Sequence, residues 1–201
     1  MISDVTPNEL RTSVAFTGYR PSKLPYLNDR RGAETIALYN ALYAEFERLI
    51  FRGYRFFLTG GALGCDLLAA EAVLELKKKY PQKHIIHEVC IPCYSHDAKW
   101  QEEDKKRLEK IKDKSIVTYV SDCEYFNGCM QKRNKYMVDT SSVLVAVYDG
   151  LSGGTQNTVE YAQKKNKRTI VIRPRDMMRI QFIDTVDDIE QLMLTDETDN
   201  W

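Results

Sequence analysis

The sequence predicts an α/β domain with a mostly parallel sheet, and three observations carry that expectation. Short apolar runs rich in β-branched residues alternate with stretches of helical periodicity along most of the 201 residues. Val143 to Val147 is a continuous apolar run, the pattern of a strand buried on both faces. Two such runs, ending at Thr59 and Val147, pass into glycine-bearing turns that open helices, and in parallel sheets that edge is where ligands bind.

Thr12 to Thr17 (TSVAFT) reads as the first strand. Gly18 to Gly32 follows, rich in Pro, Asn and Asp and longer than a structural link needs, which marks it as functional. Arg20 within it suits a phosphate or carboxylate, or else a surface ion pair. From Ala33 to Arg52 the residues Ile36, Tyr39, Leu42, Tyr43, Phe46, Leu49 and Ile50 recur at three- and four-residue steps, which predicts an amphipathic helix stopped by Gly53. Tyr54 to Thr59 is the second strand, and GGALGCD (60–66) the first glycine turn. It is neither GxGxxG nor a Walker loop, yet it places glycines between a strand and a helix N-terminus as those loops do. Asp66 stands where an aspartate caps the helix or accepts ribose hydroxyls.

A helix from Asp66 to Tyr80 ends at Pro81, and His84 to Ile91 is the third strand. Tyr94 and Trp100 beyond it either stack on a base or belong to the rim of the core. The charged stretch 101–114 predicts an exposed helix, Ser115 to Val120 a strand, and Glu124 to Asp139 a helix carrying Met130, Arg133 and Asn134. After the central run, Asp149 and Gly150 turn the chain, Gly153 and Gly154 let a ligand approach the backbone, and Thr155 is placed to cap a helix whose free N–H groups face an anion. Arg168 to Arg173 is the last clear strand. Domain 1–174 is thus followed by an acidic extension, 175–201, expected to dock on it.

Lysines plus arginines equal aspartates plus glutamates at 29 each, so no global basic field drives nucleic-acid binding, and a local patch at Lys164, Lys165, Lys167 and Arg168 reads as a solvated helix end. The first residues, MISDVTPNEL, lack the pattern of a signal peptide, and no apolar stretch is long enough to span a membrane, so a cytoplasmic protein is expected. Cys90 and Cys93 form a lone CxxC, with Cys123 and Cys129 too widely spaced to complete a zinc site; free thiols and no metal or cofactor are expected.

Taken together, TGYRP (17–21), GGALGCD (60–66), MQKRNKYMVD (130–139) and YDGLSGGTQNTVEYA (148–162) resemble the SLOG superfamily of Smf/DprA and LOG-like proteins, closest to its YpsA-like branch. The resemblance covers about Val14 to Pro174. It implies a Rossmann-like three-layer domain that binds a nucleotide or nucleotide-derived ligand, such as an ADP-ribose or NAD-like species, as a sensor or regulatory protein. Gly18, Arg20, Gly60, Gly61, Gly64, Asp66, Asp149, Gly153, Gly154 and Thr155 are the ligand-binding residues it implies. LOG enzymes cleave the N-glycosidic bond of nucleoside monophosphates. Their glycine-rich signature falls on Gly153, Gly154 and Glu160, with Gln156 and Asn157 in place of its glycine and threonine; their second signature falls on Met130 and Arg133, with Asn134 in the lysine position. Glu160 and Arg133 are therefore the catalytic pair of the alternative, a phosphoribohydrolase: a carboxylate to steady the ribose and an arginine to hold the phosphate or departing base. The Smf/DprA side implies single-stranded DNA binding, third behind these because the net charge is zero. A nucleotide-type ligand, no membrane and no nucleic acid are the expected partners, with a homodimer expected from the LOG-like relatives.

Overall fold

In the computed structural model, which describes residues 12–177 and 179–182, seven strands form one sheet. In chain order the strands are β1 (Ser13–Gly18), β2 (Phe56–Thr59), β3 (Ile86–Ile91), β4 (Ile116–Tyr119), β5 (Val143–Val147), β6 (Arg168–Ile172) and β7 (Arg179–Phe182). The helices between them are α1 (Ala33–Phe51), α2 (Cys65–Lys79), α3 (Glu102–Lys112), α4 (Cys129–Asp139) and α5 (Gly154–Lys164). The order across the sheet is β4-β3-β2-β1-β5-β6-β7, parallel from β4 to β6, with β7 antiparallel at the edge. This is the Rossmann-like three-layer α/β fold that the sequence predicts.

Strand periodicity divides the core between two layers. Val14 and Phe16 of β1 and Val143, Val145 and Val147 of β5 face α1 and α2, in a cluster with Leu38, Leu42, Phe46 and Leu76. Their neighbours Ala15, Leu144 and Ala146 face the other side, against Met137 and Val138 of α4 and Val159 and Ala162 of α5. A third cluster seats α3, through Leu108 and Ile111, on Val89 and Ile91 of β3. Each fully buried Leu or Phe contributes about 1.5–3 kcal/mol, so the continuous apolar run of β5 supports both layers at once. No helix among the described residues is long and apolar enough to cross a membrane.

Most boundaries fall within two residues of the periodicity. The exception is α4, which begins at Cys129 and not at Glu124, because Gly128 adopts φ +96° and the preceding residues form turns. Two expected caps are also corrected. The residue before α2 is Gly64 and the residue before α5 is Gly153, so Asp66 and Thr155 lie inside the first turns of their helices and neither makes a capping hydrogen bond. Of the expected extension 175–201, residues 183–201 lie outside the described residues; Arg179–Phe182 pairs with β6.

Candidate functional site: a basic crevice at the switch point

Chain order reverses between β1 and β5. From β1 the strands run outward to β4 in one direction and from β5 to β7 in the other, leaving a crevice beyond the paired strand ends Gly18 and Val147. A cavity of about 250 Å³ lies there, lined by Thr17, Gly18, Tyr19, Arg20, Ser22, Lys23, Ala62, Asp66, Met130, Arg133, Asn134 and residues 152–155. Seven of the expected site residues meet in it: Gly18, Arg20, Asp66, Arg133, Gly153, Gly154 and Thr155.

The two glycine turns do different work. In the first, Gly60, Gly61 and Gly64 are buried by protein. A Cβ on Gly60 would overlap the Arg133 guanidinium and stand 2.5 Å from Asp66 Oδ2. One on Gly61 would press on Val89 and Ile91, and Gly64, at φ +92°, lies against the Tyr19 carbonyl and Pro21. This turn is therefore packed and not open to a ligand. The second turn is exposed: Gly153 takes φ +143°, and a Cβ on Gly154 would meet nothing within 4 Å.

Helix α5 begins at that open turn without a side-chain cap. Its first helical bond runs from Asn157 N–H to Gly153 C=O at 3.0 Å, so the amides of Gly154, Thr155 and Gln156 have no carbonyl within the helix to bond. They provide the donors and the positive end of the helix dipole that an anion seeks. By contrast the first amide of α2 is spent internally, Cys65 N–H donating to Tyr19 C=O at 3.1 Å, and the turn before it is closed by Ala62 N–H donating to Asp66 Oδ2 at 3.3 Å.

The wall opposite is charged. Arg20 and Lys23 are exposed at the mouth, and Arg133 is buried at the floor, against the single lining carboxylate, Asp66. Arg133 is 3% and Asp66 6% exposed, with 3.6 Å between Nη1 and Oδ2. Burial raises the Asp66 carboxyl above its ordinary range, with Arg133 opposing, and burial lowers the Arg133 guanidinium. Arg133 Nη1 reaches Cys90 C=O only at 3.4 Å, and its Nε has no hydrogen-bond partner among the described residues. A buried guanidinium so sparsely bonded is an incomplete network that an oxyanion would complete.

Tyr19, which sequence reasoning passed over, braces the rim. Its hydroxyl donates to Asp149 Oδ1 at 2.9 Å and accepts from Leu151 N–H at 3.1 Å, tying the end of β1 to the turn after β5. Burial pushes this hydroxyl up to about 12, so it remains a donor at any physiological pH. Asp149 is engaged by Tyr19 and Arg175 and does not line the cavity. Glu160 also lies apart from Arg133. It lines a neighbouring hollow of about 290 Å³ with Lys135, Tyr161 and Lys164, and its carboxylate accepts from Gln156 Nε2 at 2.7 Å. Ser22 and Lys23 lie outside every motif quoted above, while Ala62 and Ser152 lie inside the two glycine motifs without being read as site residues.

A larger hollow, about 830 Å³, lies between α2 and α3 over Leu74 and Ile111, ringed by Lys77, Lys78, Lys106, Lys110 and Lys114. It is lined by no glycine turn and by none of the residues at the carboxyl ends of β1 and β5, so the smaller crevice is the better candidate.

Fold and site together define a Rossmann-like α/β domain with a basic crevice at its topological switch point. The chain belongs to the YspA SLOG family, whose model matches residues 14–185. It is similar to the SPbeta prophage-derived protein YoqJ of Bacillus subtilis strain 168, 38% identical over 142 residues covering 64% of this chain and 82% of that protein. It is also similar to the UPF0398 protein BH1768 of Halalkalibacterium halodurans, 29% identical over 183 residues, 87% of this chain and 95% of that one. Among solved structures it shares its fold with DNA processing protein A of Helicobacter pylori, a protein with a single-stranded DNA binding mode, at a TM-score of 0.56 and 21% identity over 92% of this chain and 76% of that chain. DNA processing protein A of Streptococcus pneumoniae aligns with a TM-score of 0.54 and 13% identity over 93% of this chain and 57% of that chain.

Proposed function

We propose that the crevice binds the phosphate of a nucleotide or nucleotide-derived ligand, and that the protein works as a binding or sensing module. The observation that carries this reading is the uncapped N-terminus of α5 facing Arg20, Lys23 and the under-bonded Arg133 across one cavity. Binding is favoured over glycosidic hydrolysis because Glu160, the carboxylate that cleavage requires, lines not the crevice with Arg133 but the neighbouring hollow beyond Asn134 and Gly154, and is held by Gln156.

The test is thermal melting with inorganic phosphate, ribose 5-phosphate, AMP, ADP-ribose and NAD. Ligand at 100 times its Kd adds about 2.7 kcal/mol to stability, enough to raise Tm by several degrees. Gly154→Val fills open space, so its melting temperature without ligand stays near wild type while the ligand-dependent rise disappears. No rise with any of the five compounds refutes the reading. Release of ribose 5-phosphate from AMP, abolished by Glu160→Gln, supports the hydrolase in its place.

The likeness to DNA processing protein A and an exposed aromatic group favour a second reading, single-stranded DNA at the same edge. Tyr94, beyond the end of β3, packs at 5.1 Å against Tyr119, the last residue of β4, and Tyr125 and Phe126 are exposed in the segment that follows β4. Stacking on such side chains is sequence-tolerant. Oligonucleotide binding that weakens with salt and with Tyr94→Ala supports it.

A further inference from the structure

A second hollow opens beside the phosphate crevice. Its volume is about 270 Å³, and it shares Arg20, Ser22, Ala62 and Met130 with the crevice. Where the crevice is charged, this compartment is aromatic and apolar, walled by Leu63, Pro21, His96 and Trp100. Trp100 is half-buried and packs edge-on against His96, with ring centroids 5.4 Å apart.

His96 gives the compartment its polarity. Its side chain is 1% exposed, and its Nε2 lies 3.4 Å from the Gly61 carbonyl oxygen. A carbonyl only accepts, so Nε2 carries the proton of the neutral ring. Burial holds the ring in that neutral form by pushing its pKa below the ordinary range, against the opposing pull of Asp97. Nδ1 is then a lone-pair acceptor; Asp97 Oδ1, itself an acceptor, stands 3.9 Å away, beyond hydrogen-bond distance, so Nδ1 is buried without a hydrogen-bond partner among the described residues and a donor entering between them would serve both. A buried acceptor left unsatisfied is costly, and a donor on a bound ligand would relieve it.

Resting on the phosphate reading above, we infer that this hollow is a nucleobase subsite, in which Trp100 packs against the base and His96 Nδ1 accepts from an exocyclic amino group. The adjoining crevice takes the phosphate, so the chemical class is an amino-bearing nucleoside phosphate, such as an adenylate. Met130 and Ala62, common to both hollows, lie where the ribose would pass from one to the other.

Calorimetric titration of the wild-type protein with AMP, purine riboside 5′-monophosphate and ribose 5-phosphate tests this without mutation. Purine riboside 5′-monophosphate retains the ring and phosphate and lacks only the amino group. It is expected to bind about tenfold weaker than AMP, the order of one hydrogen bond to a buried group. Ribose 5-phosphate is expected to bind more weakly still. Trp100→Ala lowers AMP affinity about tenfold, the order of one base stack, and leaves ribose 5-phosphate affinity unchanged. Equal affinity for AMP and ribose 5-phosphate in the wild type overturns the base subsite while leaving the phosphate site standing. Equal affinity for AMP and its deamino analogue overturns the role of His96. Failure of all three ligands to bind refutes the phosphate reading, and this inference with it.

Discussion

Removing Arg133 while leaving Asp66 in place tests the physics of the crevice floor. Both side chains are buried, 3.6 Å apart, and the carboxyl is held above its ordinary range by burial against the pull of the guanidinium. In Arg133→Met the packing volume is largely kept and the opposing charge is lost, so the Asp66 carboxyl rises further. Breaking one partner from a buried pair costs about 3–5 kcal/mol at neutral pH. For a carboxyl whose folded pKa is raised, the folded state takes up the proton first. The penalty is therefore absent below the unfolded carboxyl value of about 3.9, grows as pH rises, and levels off above the folded pKa. Urea unfolding of wild type and variant at pH 5 and pH 8 checks the sign: the deficit is smaller at pH 5. Adding Asp66→Asn removes the unpaired charge, so the double variant regains most of the loss. A deficit that is the same at both pH values, or a double variant no more stable than Arg133→Met, refutes the account.

Three other outcomes follow from particular contacts. Tyr19→Phe removes the hydroxyl between Asp149 and Leu151 N–H, costing about 1–2 kcal/mol in urea unfolding and increasing proteolytic cleavage at the turn near Leu151. His87, buried between Thr59 Oγ1 at 3.0 Å and Ser115 Oγ at 2.6 Å, is lowered to about 3 by burial, with Lys77 adding to it. Its ring stays neutral in the folded state, so this group makes stability fall as pH drops from about 6.5 towards 3, by up to about 1.4 kcal/mol per pH unit; in His87→Gln that slope is reduced in unfolding measured across pH 4 to 7. Gly60→Ala places a methyl group in the Arg133 guanidinium, so it destabilises by about 1–3 kcal/mol and weakens ligand binding together, in contrast to Gly154→Val, which alters binding alone.

The strands, the helices and the carboxyl-edge position of both glycine turns were legible because each is written in local periodicity. The β5 run and the α1 stripe needed no distant information. What separates the two turns was not legible, because it depends on side chains brought from far along the chain. GGALGCD reads as an open loop until Arg133, 73 positions beyond Gly60, fills the space above that glycine. Asp66 and Thr155 read as caps from composition, yet the positive-φ glycines at 64 and 153 end the turns two residues earlier. Tyr19 lay inside a quoted motif and was missed because its partners, Asp149 and Leu151, are some 130 residues away. The neutral net charge concealed a local excess: three cations and one carboxylate line the crevice.

The pairing of β1 with β5 also governs when this protein becomes competent. Val14 lies beside Val143, so the two lips of the crevice come from segments about 130 positions apart in the chain. Contacts of such sequence separation are slow to form, since a long loop must close before they offer any return. During synthesis β1 emerges early, but its central partner follows only after three intervening strands and four helices, and α5 later still. A growing chain or a fragment ending between Asp139 and Gly154 carries Arg20, Arg133 and the first glycine turn with no α5 to face them. On the phosphate reading proposed above, ligand capture would report completed folding, and a ligand present at that moment would pull the final docking step forward by mass action.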